Sequence, residues 1–181
     1  MAYKFLGSKI SLSTDNAIHV AKNIKLQDLD NPELRLESCG NLASKLAESD
    51  RIREELIFFQ RDFPKKKVGA VLDGRDIGSV IFPDAKIKLF ITADLDVRAR
   101  RRQEDYKKMG QEYSLKDLTE KLKERDKRDK TRKVSPLICM PDAIVFDNSE
   151  ISFERLNKEI IEIVEKKYKS LNLDINNKKK N

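Results

Sequence analysis

Three short apolar runs, residues 68–72, 87–92 and 143–146, constrain the fold of this chain more than any other feature. Each is about the length of a single strand and rich in residues that favour extended backbone. Helical patterns precede, separate and follow them. Strands fed by helical crossovers pair in parallel, so the expected class is α/β, in the order α-β-β-α-α-β-α.

The helical patterns are explicit. From residue 41 to 63, Leu42, Leu46, Ile52, Leu56, Phe59 and Phe63 keep helical spacing. A break is expected at Ser49-Asp50, with Asp50 capping the second piece, and Pro64 ends it. Residues 94–109 form a basic helix carrying Arg98, Arg100, Arg101 and Arg102, stopped by Gly110. Ser114 with Asp117 opens another helix, running to about Lys130. The last helix, 152–171, is expected to bury Phe153, Leu156, Ile160, Ile163 and Val164. Nearer the amino end, alternation over 9–14 followed by 17–20 reads as a small hairpin, and the Asn- and Lys-rich stretch 172–181 as a disordered tail.

Chemistry concentrates in two places. In residues 71–84 an apolar run enters Gly74-Arg75-Asp76-Ile77-Gly78, where the glycines let the backbone turn sharply and present Arg75 and Asp76 at a strand end. Taken alone, such a segment also fits a surface turn. The second place is 124–132, where Arg125, Asp129 and Arg132, spaced by four and three, share a helix face with Arg128 beside them. Such a run is ordinarily a solvated face. It also suits a nucleotide, because arginine forks bind phosphate and a carboxylate accepts from sugar hydroxyls.

The net charge of +7 favours anionic partners. The 181 residues suit one domain, or a core with an appendage. With no leader-like or membrane-spanning run, a soluble cytoplasmic protein with no membrane partner is expected. His19 is the only histidine, and Cys39 and Cys139 are far apart, so no zinc site is expected and both thiols read as buried and reduced. Absence of Trp and few aromatics argue against a base-stacking surface.

Gly74-Arg75-Asp76-Ile77-Gly78 with residues 80–85, residues 123–132 with Ser135-Pro136-Leu137, and the upstream segments 34–38, 43–47 and 51–54 together resemble bacterial cytidylate kinase, as does 142–149 downstream. The resemblance implies phosphoryl transfer from ATP, with Mg2+, to CMP or dCMP. It implies a cytosine pocket of Ser44, Arg53 and Asp76, arginines Arg75 and Arg132 on the acceptor phosphate, and Arg125 with Asp129 near the sugar. Arg98, Arg101 and Arg102 resemble the lid arginines that neutralise charge on the transferring group. The implied fold is a P-loop nucleoside-monophosphate-kinase-like parallel sheet with helices. It divides into a small nucleotide-binding insert with connecting helices (1–66), core strands with the substrate loop (67–93), lid helices and acceptor-binding face (94–132), a core strand and terminal helix (133–171), and the tail (172–181).

The chain departs from the family pattern in lacking a Walker A loop, G-x-x-x-x-G-K-[ST], and the strands around it; Gly7-Ser8-Lys9 does not supply one. The expectation is of a family member without its first, central strand and donor-phosphate cradle, of doubtful activity alone, with a separately encoded amino-terminal piece as a possible partner. A non-catalytic nucleotide-binding remnant is the alternative, and a basic nucleic-acid-binding module fits less well.

Overall fold

The computed structural model describes residues 13–66 and 69–170. Two compact units divide the chain, Met1–Pro83 with Glu120–Ile138 and Asp84–Thr119 with Cys139–Asn181.

The first unit opens with helix α1 (Thr14–Lys22), where the sequence pattern suggested half of a hairpin. Ser13 Oγ accepts from the Asn16 amide at 3.2 Å and sets the helix start. Ala17, Val20 and Ala21 then fall on one face and are buried. That three-four spacing outweighs the short alternation; the rest of the proposed hairpin, residues 9–12, lies outside the described residues.

Helix α2 (Glu37–Leu46) and helix α3 (Asp50–Asp62) confirm the break. Ser49 stands at the cap position and Asp50 is the first helical residue, so the helix starts one place earlier than expected. Ala17, Val20, Cys39, Leu46 and Ile52 make the core, with Leu34, Leu42 and Leu56 packed against it. Each fully buried Val, Leu or Ile contributes about 1.5–3 kcal/mol, so this cluster holds the three helices as one body. A short 3-10 turn (Pro64–Lys66) follows α3.

Of the strand expected at 68–72, the described residues 69–72 carry no ladder, and Val71 is 97% exposed. β-propensity cannot by itself make a strand, because its amides and carbonyls need a neighbouring edge, and among the described residues none lies beside this run. The chain instead enters a π-helical turn (Ile77–Ile81) in which the Phe82 amide donates to the Ile77 carbonyl at 2.7 Å. Gly74 is needed here for space and not for its backbone freedom, since a Cβ would stand 2.8 Å from Ile77 Cγ1. Among the described residues the positive φ angles belong to Gly110 (72°) and Ser135 (46°).

In the second unit, strand β1 (Leu89–Thr92) pairs in parallel with strand β2 (Ile144–Asp147), Leu89 opposite Ile144 and Thr92 opposite Asp147. The parallel α/β reading holds for these two runs. Helix α4 (Leu95–Lys108) ends at Gly110, as expected, and places Ala99 and Tyr106 in the core. Helix α5 (Leu115–Thr131) starts where the Asp117 amide donates to Ser114 Oγ, and its residues 120–131 belong to the first unit. Helix α6 (Phe153–Ser170) keeps Leu156, Ile160, Ile163 and Val164 half-buried, but Phe153 is 71% exposed, against expectation. It stands at the first position of the helix. Neither cysteine is in a disulfide; Cys39 is buried, whereas Cys139 is exposed on a loop, correcting the expectation of two buried thiols. The proposed tail lies outside the described residues, and among those described no helix is long and apolar enough to cross a membrane.

Candidate functional site

Seven of the ten residues singled out from sequence meet in the first unit. Asp129, on the last turn of α5, is 2% exposed. One of its oxygens accepts from Ser44 Oγ at 2.7 Å, and the other from Arg75 Nε at 2.9 Å. Arg125, one turn earlier on α5, lies 3.8 Å from that second oxygen. Burial alone would raise the Asp129 carboxyl, but the hydrogen bonds from Ser44 and Arg75 and the charges of Arg75 and Arg125 outweigh it, and the pKa is held below the ordinary value.

Asp76 caps the π-helical turn, is 5% exposed, and pairs with Arg53 Nη2. The Arg53 side chain is 12% exposed, and its buried Nε has no protein partner. Arg132, 8% exposed, follows the end of α5 and donates from Nε to the Ser135 carbonyl at 2.8 Å. Burial and the like charge of Arg53 depress its pKa, against the opposing pull of Asp129 and Asp76. The positive φ at Ser135 turns the chain so that the Leu137 amide reaches the Asp129 carbonyl at 2.7 Å. Backbone and side chain of Asp129 are thus both fixed. A cleft of about 420 Å3, lined by Leu46, Ile52, Leu56, Phe59 and Ile77 among others, lies against Arg53.

The arrangement has simple chemistry. Two buried carboxylates are acceptors for amine or hydroxyl donors, and the guanidinium groups around them can fork onto a phosphate. Arg75 is the most accessible of these, with 38% of its side chain exposed.

The other three residues, Arg98, Arg101 and Arg102, belong to the second unit. Arg98 Nε donates to the Ala93 carbonyl at 2.9 Å. Arg101 donates to Asn148, through both its side-chain oxygen at 2.9 Å and its carbonyl at 2.7 Å. Arg102 Nε donates to the Tyr106 hydroxyl at 2.9 Å, and its guanidinium carbon lies 5.1 Å from that ring's centre. Among the described residues no group of three or more His, Cys, Asp or Glu could hold a metal ion.

Three residues overlooked in the sequence belong to the framework. Asn41 accepts from Arg128 at 3.1 Å, and Glu48 pairs with the same arginine at 3.7 Å, which ties α5 to α2. Asn41, one helical turn before Ser44, was findable from spacing. Arg61 donates to the carbonyls of Val80 and Ile81, a contact no local pattern signals.

Comparison with known proteins identifies the family. The family model described as cytidylate kinase matches residues 6–166. A cytidylate kinase of Cereibacter sphaeroides (strain KD131 / KCTC 12085) is 38% identical over 165 residues, 91% of this chain and 80% of that protein. One of Methylococcus capsulatus (strain ATCC 33009 / NCIMB 11132 / Bath) is 46% identical over 129 residues, 71% of this chain and 58% of the relative. One of Klebsiella pneumoniae (strain 342) is 36% identical over 156 residues, 86% and 67% of the two chains. A match that runs through both chemistry-bearing segments and nearly all the sequence between and around them shows that this chain belongs to the cytidylate kinase family.

Proposed function

We propose that the first unit is the acceptor site of a cytidylate kinase and receives CMP or dCMP for phosphoryl transfer from MgATP. The observation that carries this reading is the convergence of Asp76 and Asp129, both buried, with Ser44, Arg53, Arg75, Arg125 and Arg132 from four separate stretches of chain. Asp76, paired with Arg53, is assigned the cytosine exocyclic amine, and Ser44, whose hydroxyl is held by Asp129, is assigned to the same pocket. Uracil presents a carbonyl oxygen in place of that amine, and a carboxylate repels it. Arg75 and Arg132 are assigned the acceptor phosphate, whereas Arg125 and Asp129 are assigned the sugar. Arg98, Arg101 and Arg102 are the candidates for charge neutralisation on the transferring group.

Magnesium enters as the MgATP substrate. The 181 residues contain no Walker A loop to cradle its β- and γ-phosphates. Phosphoryl transfer rests mainly on such positioning. We therefore assign to these residues recognition of the acceptor, and expect little transfer from this polypeptide by itself.

Calorimetric titration with CMP and UMP, followed by a coupled ADP-release assay with MgATP, tests both parts. Preferential CMP binding with negligible turnover is the expected result. Equal affinity for CMP and UMP would remove the acceptor assignment, and turnover near the enzyme median of about 10 per second would remove the expectation of inactivity.

A further inference from the structure

We infer that Arg61 is a positioning residue for the acceptor site, acting through the turn that carries Arg75 and Asp76; the inference rests on the acceptor-site reading above. Arg61 lies in the last turn of α3, eight residues after Arg53 on the same helix. Its Nε donates to the Ile81 carbonyl and its Nη2 to the Val80 carbonyl, both at 3.2 Å.

The significance lies in what those carbonyls belong to. Residues 77–81 form a single π-helical turn, whose last carbonyls have no partner further along the turn. At its other end the Asp76 carbonyl accepts from the Val80 amide at 2.8 Å and the Ile81 amide at 3.2 Å. The same residue's carboxylate is held by Arg53. One helix thus grips both ends of the turn, Arg53 at the carboxylate and Arg61 at the closing carbonyls. A lone π turn has little intrinsic persistence, and Asp76 hangs from its first residue. Releasing the far end frees the turn to rewind, which displaces Asp76 and Arg75 together, without removing any group assigned to touch the nucleotide. The forked guanidinium suits two adjacent carbonyls in a way an ammonium does not.

The test compares the wild-type chain, Arg61→Ala and Arg61→Lys in two measurements. Titration with CMP and UMP reads the affinity ratio, and amide hydrogen exchange reads the turn directly. We expect Arg61→Ala to weaken CMP about tenfold and UMP less, with Arg61→Lys recovering part of the difference. Exchange at the Val80 and Phe82 amides should accelerate while α2 keeps its protection. A residue serving only overall stability would lower protection across α1 to α3 and leave the CMP-to-UMP ratio unchanged; that result overturns the inference, as does unaltered exchange in the turn. If the wild-type chain itself shows no CMP preference, the acceptor-site reading fails, and local acceleration at Val80 and Phe82 still decides whether Arg61 holds the turn.

Discussion

Ser44 and Asp129 lie 85 positions apart in sequence and share a buried 2.7 Å hydrogen bond. Ser44→Ala strands one oxygen of a carboxylate that is 2% exposed. The expected loss is about 1–3 kcal/mol, the range for an unsatisfied buried polar group, read as a lower urea midpoint at unchanged slope. A neutral outcome would mean that water replaces the hydroxyl.

Asp129 also sets an acid limit. Its folded pKa lies below the ordinary aspartate value, so the unfolded chain takes up the proton first as pH falls. Its contribution to stability is fully present above that unfolded value and is lost as pH drops through the lower folded one. Asp129→Asn should therefore show a shallower decline in stability below about pH 4 than wild type, in denaturant titrations at stepped pH. Parallel declines would assign acid sensitivity to other carboxylates.

Asp76→Ala should cost more in CMP affinity than in UMP affinity, because it removes an acceptor for the cytosine amine and, for uracil, a repulsive oxygen. A loss of about 1–3 kcal/mol is expected for CMP, as for other base-edge contacts. Since Arg53 loses its carboxylate as well, Asp76→Asn serves as the milder companion. Calorimetry giving equal losses for both nucleotides counts against the assignment.

The second unit has its own test at Tyr106, fully buried beneath Arg102, its ring centre 4.7 Å from that of Tyr113 and tilted 45° to it. Tyr106→Ala should destabilise by about 3–5 kcal/mol through the cavity it leaves. Tyr106→Phe keeps the ring but loses the acceptor for Arg102, and should cost about 1 kcal/mol. Similar midpoints for the two variants in urea would show that the ring's packing contributes little.

Where neighbours in sequence decide the structure, the sequence was readable. Ser114 and Asp117 mark the start of α5, Gly110 marks the end of α4, and the spacing of Arg125 and Asp129 places them on one face. The parallel pairing of β1 and β2 followed from the helices between them. Alternation misled at Ala17 to Val20, because four residues with a polar His19 fit either period and the Ser13 cap lies just outside them. At Val71 the extended propensity is real, but a ladder depends on a second strand that propensity does not reveal. The partners of Asp129 were each visible as residue types. Their meeting was legible only through family resemblance, since contacts between residues 44, 75 and 129 leave no local trace.

The carboxylate cluster has a final consequence when its charges are counted. Arg53, Arg75, Arg125 and Arg132 are four cations gathered around two anions, Asp76 and Asp129, and so retain two positive charges in excess. A phosphate monoester near neutral pH carries about −1.5 to −2. On the acceptor-site reading proposed above, a single monoester dianion bound among these arginines would bring the cluster close to neutrality. Part of the affinity proposed for that site would then come from relief of repulsion among arginines already gathered in the folded protein.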